Sequence, residues 1–225
     1  MRIFINPEKE MWSQLCERPQ KNKGELDAGV QSILADVKRT GDDAVFRYGS
    51  LFDGVKIKDF QVTKEEINRA EVQPELAAAI DLAITNIEQF HSAQKRKEER
   101  VETTKGVCCW RQDKPIDKVG LYIPGGTAPL FSTILMLAIP AKLAGCNELI
   151  LCTPPNSERA INPAILYAAK RTGVTKVFKA GGAQAIAAMA YGTQSIPSVD
   201  KIFGPGNQYV TRAKELVQQD GVAID

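Results

Sequence analysis

The sequence predicts an α/β fold, and three observations lead to that class. The first half of the chain repeats apolar residues at helical spacing, and the second half alternates short apolar runs with helical patterns. Two strand-to-helix junctions in the second half carry glycine-proline turns, Pro124-Gly125-Gly126 and Gly204-Pro205-Gly206-Asn207. Loops of this kind, at the carboxyl ends of parallel strands, are where α/β proteins bind nucleotides and other anions. We therefore expect a helical N-terminal portion, residues 1–117, followed by an incomplete Rossmann-like parallel βα domain, residues 118–225.

The N-terminal portion begins with two predicted helices. Apolar residues recur at i, i+3, i+4 and i+7 over residues 30–37, which predicts a helix with one buried face. Gly41 interrupts this pattern. Aspartate favours the N-cap position, so we expect Asp42 to cap a second helix that carries the apolar residues of segment 45–51.

Two further helices and a strand complete this portion. Thr63 and Glu66 have the spacing of a capping box, in which each side chain bonds to the other residue's backbone N–H, and a short helix is expected to follow. A long amphipathic helix is predicted from Pro74 to about Arg100, because apolar residues recur along one stripe over residues 76–87 and proline suits the first helical turn. The segment 107–112 is predicted to form an edge or hairpin strand. The change to βα units near residues 114–118 sets the predicted domain boundary.

Four strands are predicted in the second half of the chain. Each is a short apolar or mixed run followed by a turn and then a helical pattern. This alternation is typical of βαβ units with right-handed crossovers and a buried parallel sheet. The predicted strands cover residues 119–123, 148–152, 176–179 and 199–203.

Composition excludes several classes of protein. The 29 basic and 27 acidic residues are mixed along the chain and give a net charge of only +2, so we expect no nucleic-acid partner. No apolar run reaches the roughly 18 residues that span a bilayer, and the N-terminus has no signal-peptide pattern, which predicts a cytoplasmic protein without a membrane partner. The five cysteines form no CxxC motif, and this suits reduced thiols in that compartment.

Two side chains near the predicted turns suit ligand contact, although each also has a purely structural explanation. Tyr122 ends the first strand of the βα domain, at the edge where ligands sit, but half-buried tyrosines are common in strands. Gln184 follows Gly181-Gly182-Ala183 at a helix start, where its amide suits a ribose or a carboxamide, or else faces solvent.

The two glycine-proline turns are open to the same pair of interpretations. Gly125 and Gly126 permit positive φ and close backbone approach, and a helix starting near residues 131–133 would direct free N–H groups into the same cleft. Asn207 suits an anion-binding turn, yet capping of the last helix explains an asparagine there completely.

The usual dinucleotide fingerprint is missing. No GxGxxG follows any predicted strand, and the second strand ends Leu151-Cys152-Thr153-Pro154 without the acidic residue that binds a ribose. The only histidine, His91, has no ligand partner at metal-binding spacing, so we interpret it as a hydrogen-bonded core residue. Cys146 and Cys152 have no base nearby in sequence and are interpreted as buried structural thiols.

Five ordered segments of the sequence resemble histidinol dehydrogenase. They are VGLYIPGGTAPLFST at 119–133, GGAQAIAA at 181–188, DKIFGPGN at 200–207, NIEQFH at 86–91 and PAKLAGC at 140–146. The resemblance implies an enzyme of histidine biosynthesis that binds one zinc per subunit and oxidises L-histidinol through histidinaldehyde to L-histidine with two NAD. It implies NAD contacts at Tyr122, Gln184 and Asn207, and an atypical Rossmann-type domain.

The same resemblance limits what this chain is expected to do alone. In the family, the zinc ligands and a catalytic glutamate-histidine pair lie beyond the position of Asp225, so we expect no catalytic residue and no metal ligand within residues 1–225. We interpret the chain as an inactive N-terminal portion of a homodimeric enzyme. The alternatives are an aldehyde-dehydrogenase-like reductase, which needs a reactive cysteine further along, and a non-catalytic nucleotide-binding fragment.

Overall fold

A computed structural model describes residues 3–17, 23–126 and 128–225, and in these residues a parallel sheet lies between two layers of helices. The five-stranded sheet has the order β5-β4-β3-β6-β7, and every neighbouring pair is parallel. A separate antiparallel hairpin, β1-β2, precedes it in the chain. The strands are β1 Arg100–Thr104, β2 Val107–Trp110, β3 Lys118–Tyr122, β4 Glu148–Thr153, β5 Lys176–Lys179, β6 Lys201–Phe203 and β7 Ala223–Ile224.

The α/β class and all four predicted strands are confirmed; β5 has the predicted ends, and the ends of the other three differ by at most two residues. The strands form because their apolar runs are buried on both faces: in β4, every residue after Glu148 is buried. The prediction of four strands was one too few. The fifth, β7, is only two residues long and pairs with β6 through Lys201 and Ile202, which is too short to leave a periodic signal in the sequence.

Two helical layers cover the sheet. One layer packs α2, α3, α8 and α9 together, and the other packs α4, α5, α6 and α7. The connections from β3 to β5 use α6 and α7, and those from β5 to β7 use α8 and α9. The helices are α1 Lys9–Leu15, α2 Lys23–Thr40, α3 Asp42–Tyr48, α4 Lys64–Asn68, α5 Pro74–Ser92, α6 Phe131–Ala144, α7 Pro163–Thr172, α8 Gly182–Tyr191 and α9 Gln208–Gln219.

The N-terminal half departs from the prediction at two places. Asp42 does not cap α3; Gly41 is the N-cap residue, and the Asp42 carboxylate instead accepts hydrogen bonds from the backbone N–H and the hydroxyl of Ser195. Helix α5 ends at Ser92, and Arg100, where the helix was predicted to end, instead begins the hairpin. The Thr63 capping box is confirmed, since the Thr63 side chain and the Glu66 side chain each accept from the other's N–H.

The strand order places a topological switch beside β3. The chain runs outward from β3 through β4 to β5, and then returns to the other side of β3 to form β6 and β7. The helices that follow β3 and β6 therefore leave on opposite faces of the sheet, and a crevice opens between the carboxyl ends of these strands. Tyr122 ends β3 and Gly204 follows β6, so both border this crevice.

The two predicted domains share contacts along the sheet. Helix α2 packs on α8 and α9, and its residues Val30, Ile33 and Val37 belong to the same buried cluster as Ile186. At the sheet edge, the Lys179 N–H donates to the Phe60 carbonyl at 2.7 Å. The boundary between residues 117 and 118 stays a prediction. No helix in the described part of the chain is long and apolar enough to cross a membrane.

Candidate functional site

A cavity of about 830 Å³ lies at the carboxyl edge of the sheet, beside the switch point. This volume lies within the range of small-molecule and cofactor pockets. The three side chains that the sequence singled out, Tyr122, Gln184 and Asn207, all line it, although they are far apart in the sequence. The starts of α8 and α9 also line it, whereas the described residues of the first α6 turn do not, contrary to expectation.

Tyr122 is almost completely buried at the floor of this cavity. Only 3% of its surface is exposed, so Tyr122 is more deeply buried than the half-buried strand tyrosine that was the structural alternative. The N–H of Gly182, at the start of α8, donates to the Tyr122 hydroxyl oxygen at 3.0 Å. Burial raises the pKa of Tyr122 to about 12, so the phenol is neutral near pH 7 and keeps its proton available as a hydrogen-bond donor.

Gln184 is buried in the first turn of α8, with 1% of its surface exposed. The alternative of a solvent-exposed first-turn residue is therefore wrong. Neither the oxygen nor the nitrogen of its amide has a hydrogen-bonding partner among the described residues. Leaving a buried polar group unsatisfied costs about 1–3 kcal/mol, so this amide is both destabilising and free to pair with a ligand.

Asn207 combines a capping role with a position at the cavity rim. Its Oδ1 accepts from the N–H groups of Tyr209 and Val210, at 3.0 and 3.1 Å, and so caps α9. The side chain is exposed, and the cap occupies only Oδ1, which leaves the Nδ2 amide group as a donor. Capping and ligand contact are thus compatible in one residue.

The turn before Asn207 has a conformation that only glycine accommodates. Gly204 has a φ of +126°, and a Cβ there would lie 2.1 Å from the carbonyl oxygen of Tyr122. Asp225 and Lys214 fix this turn, because the Asp225 carboxylate accepts from the Gly204 N–H at 3.0 Å and the Lys214 Nζ donates to the Gly204 carbonyl at 3.1 Å. The loop after β6 is therefore held against the end of β3.

Pro154 joins the loops on the other side of the cavity. A Cβ at Gly125 would lie 2.6 Å from the Pro154 ring, and a Cβ at Gly181 would lie at the same distance from it. Gly126 has a φ of +155°, but Gly125 does not adopt positive φ, so the reason for glycine at position 125 is close packing. The loops after β3, β4 and β5 thus interlock around one proline.

The N-terminal portion supplies the facing wall, which sequence reasoning missed. Asp53 and Phe52, from a single π-helical segment, line the cavity together with Tyr48 and Ser32. A π-helical turn often marks a functional site, but it leaves no periodic pattern in a sequence. Gly54, left-handed at φ +67°, is the only sequence signal that a helix ends here.

The remaining candidate residues lie away from this cavity or are inert. His91 is partly exposed and pairs with Gln94 at 3.1 Å, so it is hydrogen-bonded as predicted but is not a core residue. Cys152 is buried as predicted, and burial raises the pKa of its thiol, which disfavours the reactive thiolate. Cys146 is only partly buried. Within the described residues, no group of three or more His, Cys, Asp or Glu side chains is arranged to hold a metal ion.

Comparison with known proteins identifies the family. The family model described as histidinol dehydrogenase matches residues 16–225, which is nearly the whole chain. The chain belongs to the histidinol dehydrogenase family. The resemblance inferred from the five sequence segments is therefore confirmed.

Individual members of the histidinol dehydrogenase family agree with this assignment. The chain is 56% identical over 227 residues to histidinol dehydrogenase of Bacteroides thetaiotaomicron, covering 100% of this chain and 53% of the relative. It is 54% identical over 199 residues to that of Xylella fastidiosa, covering 87% of this chain and 46% of the relative. The chain thus spans about half the length of these curated relatives.

A solved structure extends the agreement to the fold. The crystal structure of histidinol dehydrogenase from Elizabethkingia anophelis superposes with a TM-score of 0.90 at 50% sequence identity. The superposition covers 99% of this chain and 52% of that chain. The three-layer arrangement described above is therefore that of a histidinol dehydrogenase over the matched half.

Proposed function

We propose that the cavity at the carboxyl edge of the sheet is the NAD site of a histidinol dehydrogenase, and that Tyr122, Gln184 and Asn207 contact the cofactor. The observation that carries this proposal is the buried amide of Gln184. Its two polar atoms lack hydrogen-bonding partners among the described residues, and Gln184 lines a cavity large enough for a dinucleotide. A carboxamide or ribose would supply the missing acceptor and donor together. The residues present therefore fit NAD.

When bound, NAD supplies the hydride acceptor for oxidation of an alcohol. The residues of this chain have binding and orienting roles in the proposal. Gln184 would pair with a polar edge of the cofactor, Tyr122 would donate its phenolic proton as a hydrogen bond, and the Nδ2 of Asn207 would donate to a pyrophosphate or ribose oxygen. Tyr122 and Gln184 are both buried, so almost none of either side chain is exposed to solvent in the free protein.

For the complete protein, the family supports oxidation of L-histidinol to L-histidine through histidinaldehyde, the last steps of histidine biosynthesis. The alcohol carbon gives up two hydrides, one to each of two NAD, and water supplies the second oxygen of the product. A cytoplasmic homodimer is part of the same proposal. The described residues do not fit the zinc that the family implies, because no three ligand side chains cluster, and we derive no step through it.

The chemistry of the cysteines bears on the main alternative. An aldehyde-dehydrogenase-like reductase needs a cysteine thiolate beside the nicotinamide. Cys152, at the end of β4, is buried, and the pKa of its thiol is raised, so it does not supply one. A nucleotide-binding role without turnover rests on the same cavity as the main proposal. An activity assay of the complete protein separates the two, because residues 1–225 alone are expected to form no NADH in either case.

Isothermal titration of the 225-residue chain with NAD tests the proposed site. We expect saturable binding by the wild type and loss of binding in Gln184→Met, which keeps the length of the side chain but removes both polar atoms. Gln219→Met makes the same chemical change at an exposed position at the end of α9 and should leave the affinity unchanged. Unaltered NAD affinity in Gln184→Met would refute the assignment of this amide.

A further inference from the structure

Asp53 is the only charged side chain among the described residues that line the cavity. It ends the π-helical segment Gly49–Asp53 and is partly buried. Asp53 and Gln184 also line a small crevice that lies between the π-helical segment and the start of α8. The two residues therefore stand on adjoining walls of one site, one from each half of the chain.

The Asp53 carboxylate lacks a compensating partner in the described part of the chain. No hydrogen bond or salt bridge joins it to another described side chain, in contrast to Asp36, which pairs with Arg39, Arg47 and Tyr48. Burial raises the pKa of Asp53, because removal from water disfavours its charged form. Its charge also raises the pKa of Tyr122, which is consistent with a position near that phenol.

A ribose would satisfy this carboxylate. In dinucleotide enzymes, an acidic side chain at the end of the second strand commonly accepts hydrogen bonds from the adenosine ribose hydroxyls. Here β4 ends at Cys152-Thr153-Pro154 and offers no acid. Asp53 instead places a carboxylate in the cavity from the N-terminal half of the chain, at the end of a π-helical segment rather than of a strand.

We propose that the Asp53 carboxylate accepts hydrogen bonds from the adenosine ribose hydroxyls and thereby selects NAD over NADP. This inference rests on the proposed NAD site. The 2′-phosphate of NADP carries close to two negative charges near pH 7 and removes the 2′-hydroxyl donor. Among the described lining residues there is no lysine or arginine to receive that phosphate, so Asp53 would repel it without compensation.

Titration of the 225-residue chain with NAD and with NADP tests the inference. We expect the wild type to bind NADP at least about tenfold more weakly than NAD. Asp53→Asn removes the charge and should weaken NAD by roughly threefold to tenfold, since hydrogen bonds to charged groups are the stronger ones. The Asp53→Asn variant should bind NADP at least as tightly as the wild type does. The ratio of the NADP to the NAD dissociation constant should therefore fall by at least about threefold.

Two further variants complete the design. Asp59→Asn makes the same charge change at an exposed position six residues further along that does not line the cavity, and should leave both affinities unchanged. Asp53→Ser is a smaller neutral variant, used if Asp53→Asn gives a non-native circular dichroism spectrum. The Asp53→Ser variant should also reduce the preference for NAD over NADP.

The outcomes separate this inference from the proposed function. NAD binding with an unchanged ratio of the NAD and NADP dissociation constants in both Asp53 variants overturns the role of Asp53 and leaves the NAD site intact. Equal wild-type affinity for NAD and NADP also overturns it alone. Absence of NAD binding by the wild type overturns the NAD site and this inference together.

Discussion

Replacement of Gln184 by methionine should make the protein more stable while abolishing cofactor binding. The glutamine amide is 1% exposed, and both polar atoms lack partners among the described residues. Methionine has nearly the same length and shape and needs no hydrogen bonds. The variant therefore removes the free-energy cost of an unsatisfied buried amide from the ligand-free protein. It also removes the group that is proposed to bind NAD.

The expected size of the effect follows from the desolvation cost. An unsatisfied buried polar group costs about 1–3 kcal/mol, and some of this gain is lost because the methionine must find a rotamer in a site shaped for an amide. We therefore expect the free energy of unfolding to rise by about 1–2 kcal/mol. For a chain of this length, that corresponds to an increase in Tm of about 2–8 °C.

Thermal unfolding with and without NAD is the assay. A ligand present at 100 times its Kd stabilises the native state by about 2.7 kcal/mol. Without NAD, Gln184→Met should have a higher Tm than the wild type. Addition of NAD should raise the Tm of the wild type only. The exposed control Gln219→Met should stay within about 0.5 kcal/mol of the wild type in both conditions.

Two results would contradict the reasoning. If Gln184→Met unfolds at a lower temperature than the wild type without NAD, the amide contributes favourable hydrogen bonds in the free protein, and its proposed readiness for a ligand is wrong. If NAD still raises the Tm of the variant by as much as that of the wild type, the amide does not contact the cofactor.

Three other predictions concern the same site. Tyr122→Phe leaves the Gly182 N–H without its acceptor and should lower the free energy of unfolding by about 1–2 kcal/mol, as measured by urea denaturation; no loss would show that this bond adds nothing to stability. Asn207→Asp keeps the α9 cap but adds a negative charge, so the Tm should stay nearly constant while the affinity for NAD falls. The control Asn162→Asp makes the same change at the N-cap of α7 and should alter neither the Tm nor the affinity for NAD. Normal affinity for NAD in Asn207→Asp would mean that Asn207 is only a helix cap. Residues 1–225 supplied with histidinol, NAD and zinc should form no NADH in an absorbance assay at 340 nm, and zinc-dependent NADH production would refute that expectation.

The sequence was most informative where a local pattern determined the structure. The strands of the βα domain have apolar runs that only a doubly covered sheet explains, and the Thr63 and Asn207 caps depend on neighbours two or three residues away. Features that depend on contacts between residues distant in the sequence were either missed or predicted wrongly. The sequence suggests that Asp42 caps a helix, but its carboxylate accepts hydrogen bonds from Ser195, more than 150 residues away.

The candidate site shows the same division between local and distant information. Glycine and proline turns located the cavity, because each lies next to a strand that the pattern identifies. The burial of Gln184 was not predictable, since it depends on how α2 and the π-helical segment cover α8. Asp53 was missed for a related reason. Its sequence neighbours indicate only that a helix ends there, and its position in the cavity depends on how the N-terminal helices pack against the sheet.

The wall supplied by the N-terminal helices affects how this protein can be divided or recombined. A chain that starts at Lys118 would keep every glycine-proline turn and the whole parallel sheet, yet it would lose Asp53, Phe52 and Tyr48 from the cavity. It would also expose the apolar surface of α8 that α2 covers. The sheet and its loops consequently do not form the whole cavity by themselves, and a graft onto another protein would have to carry residues from both halves of the chain.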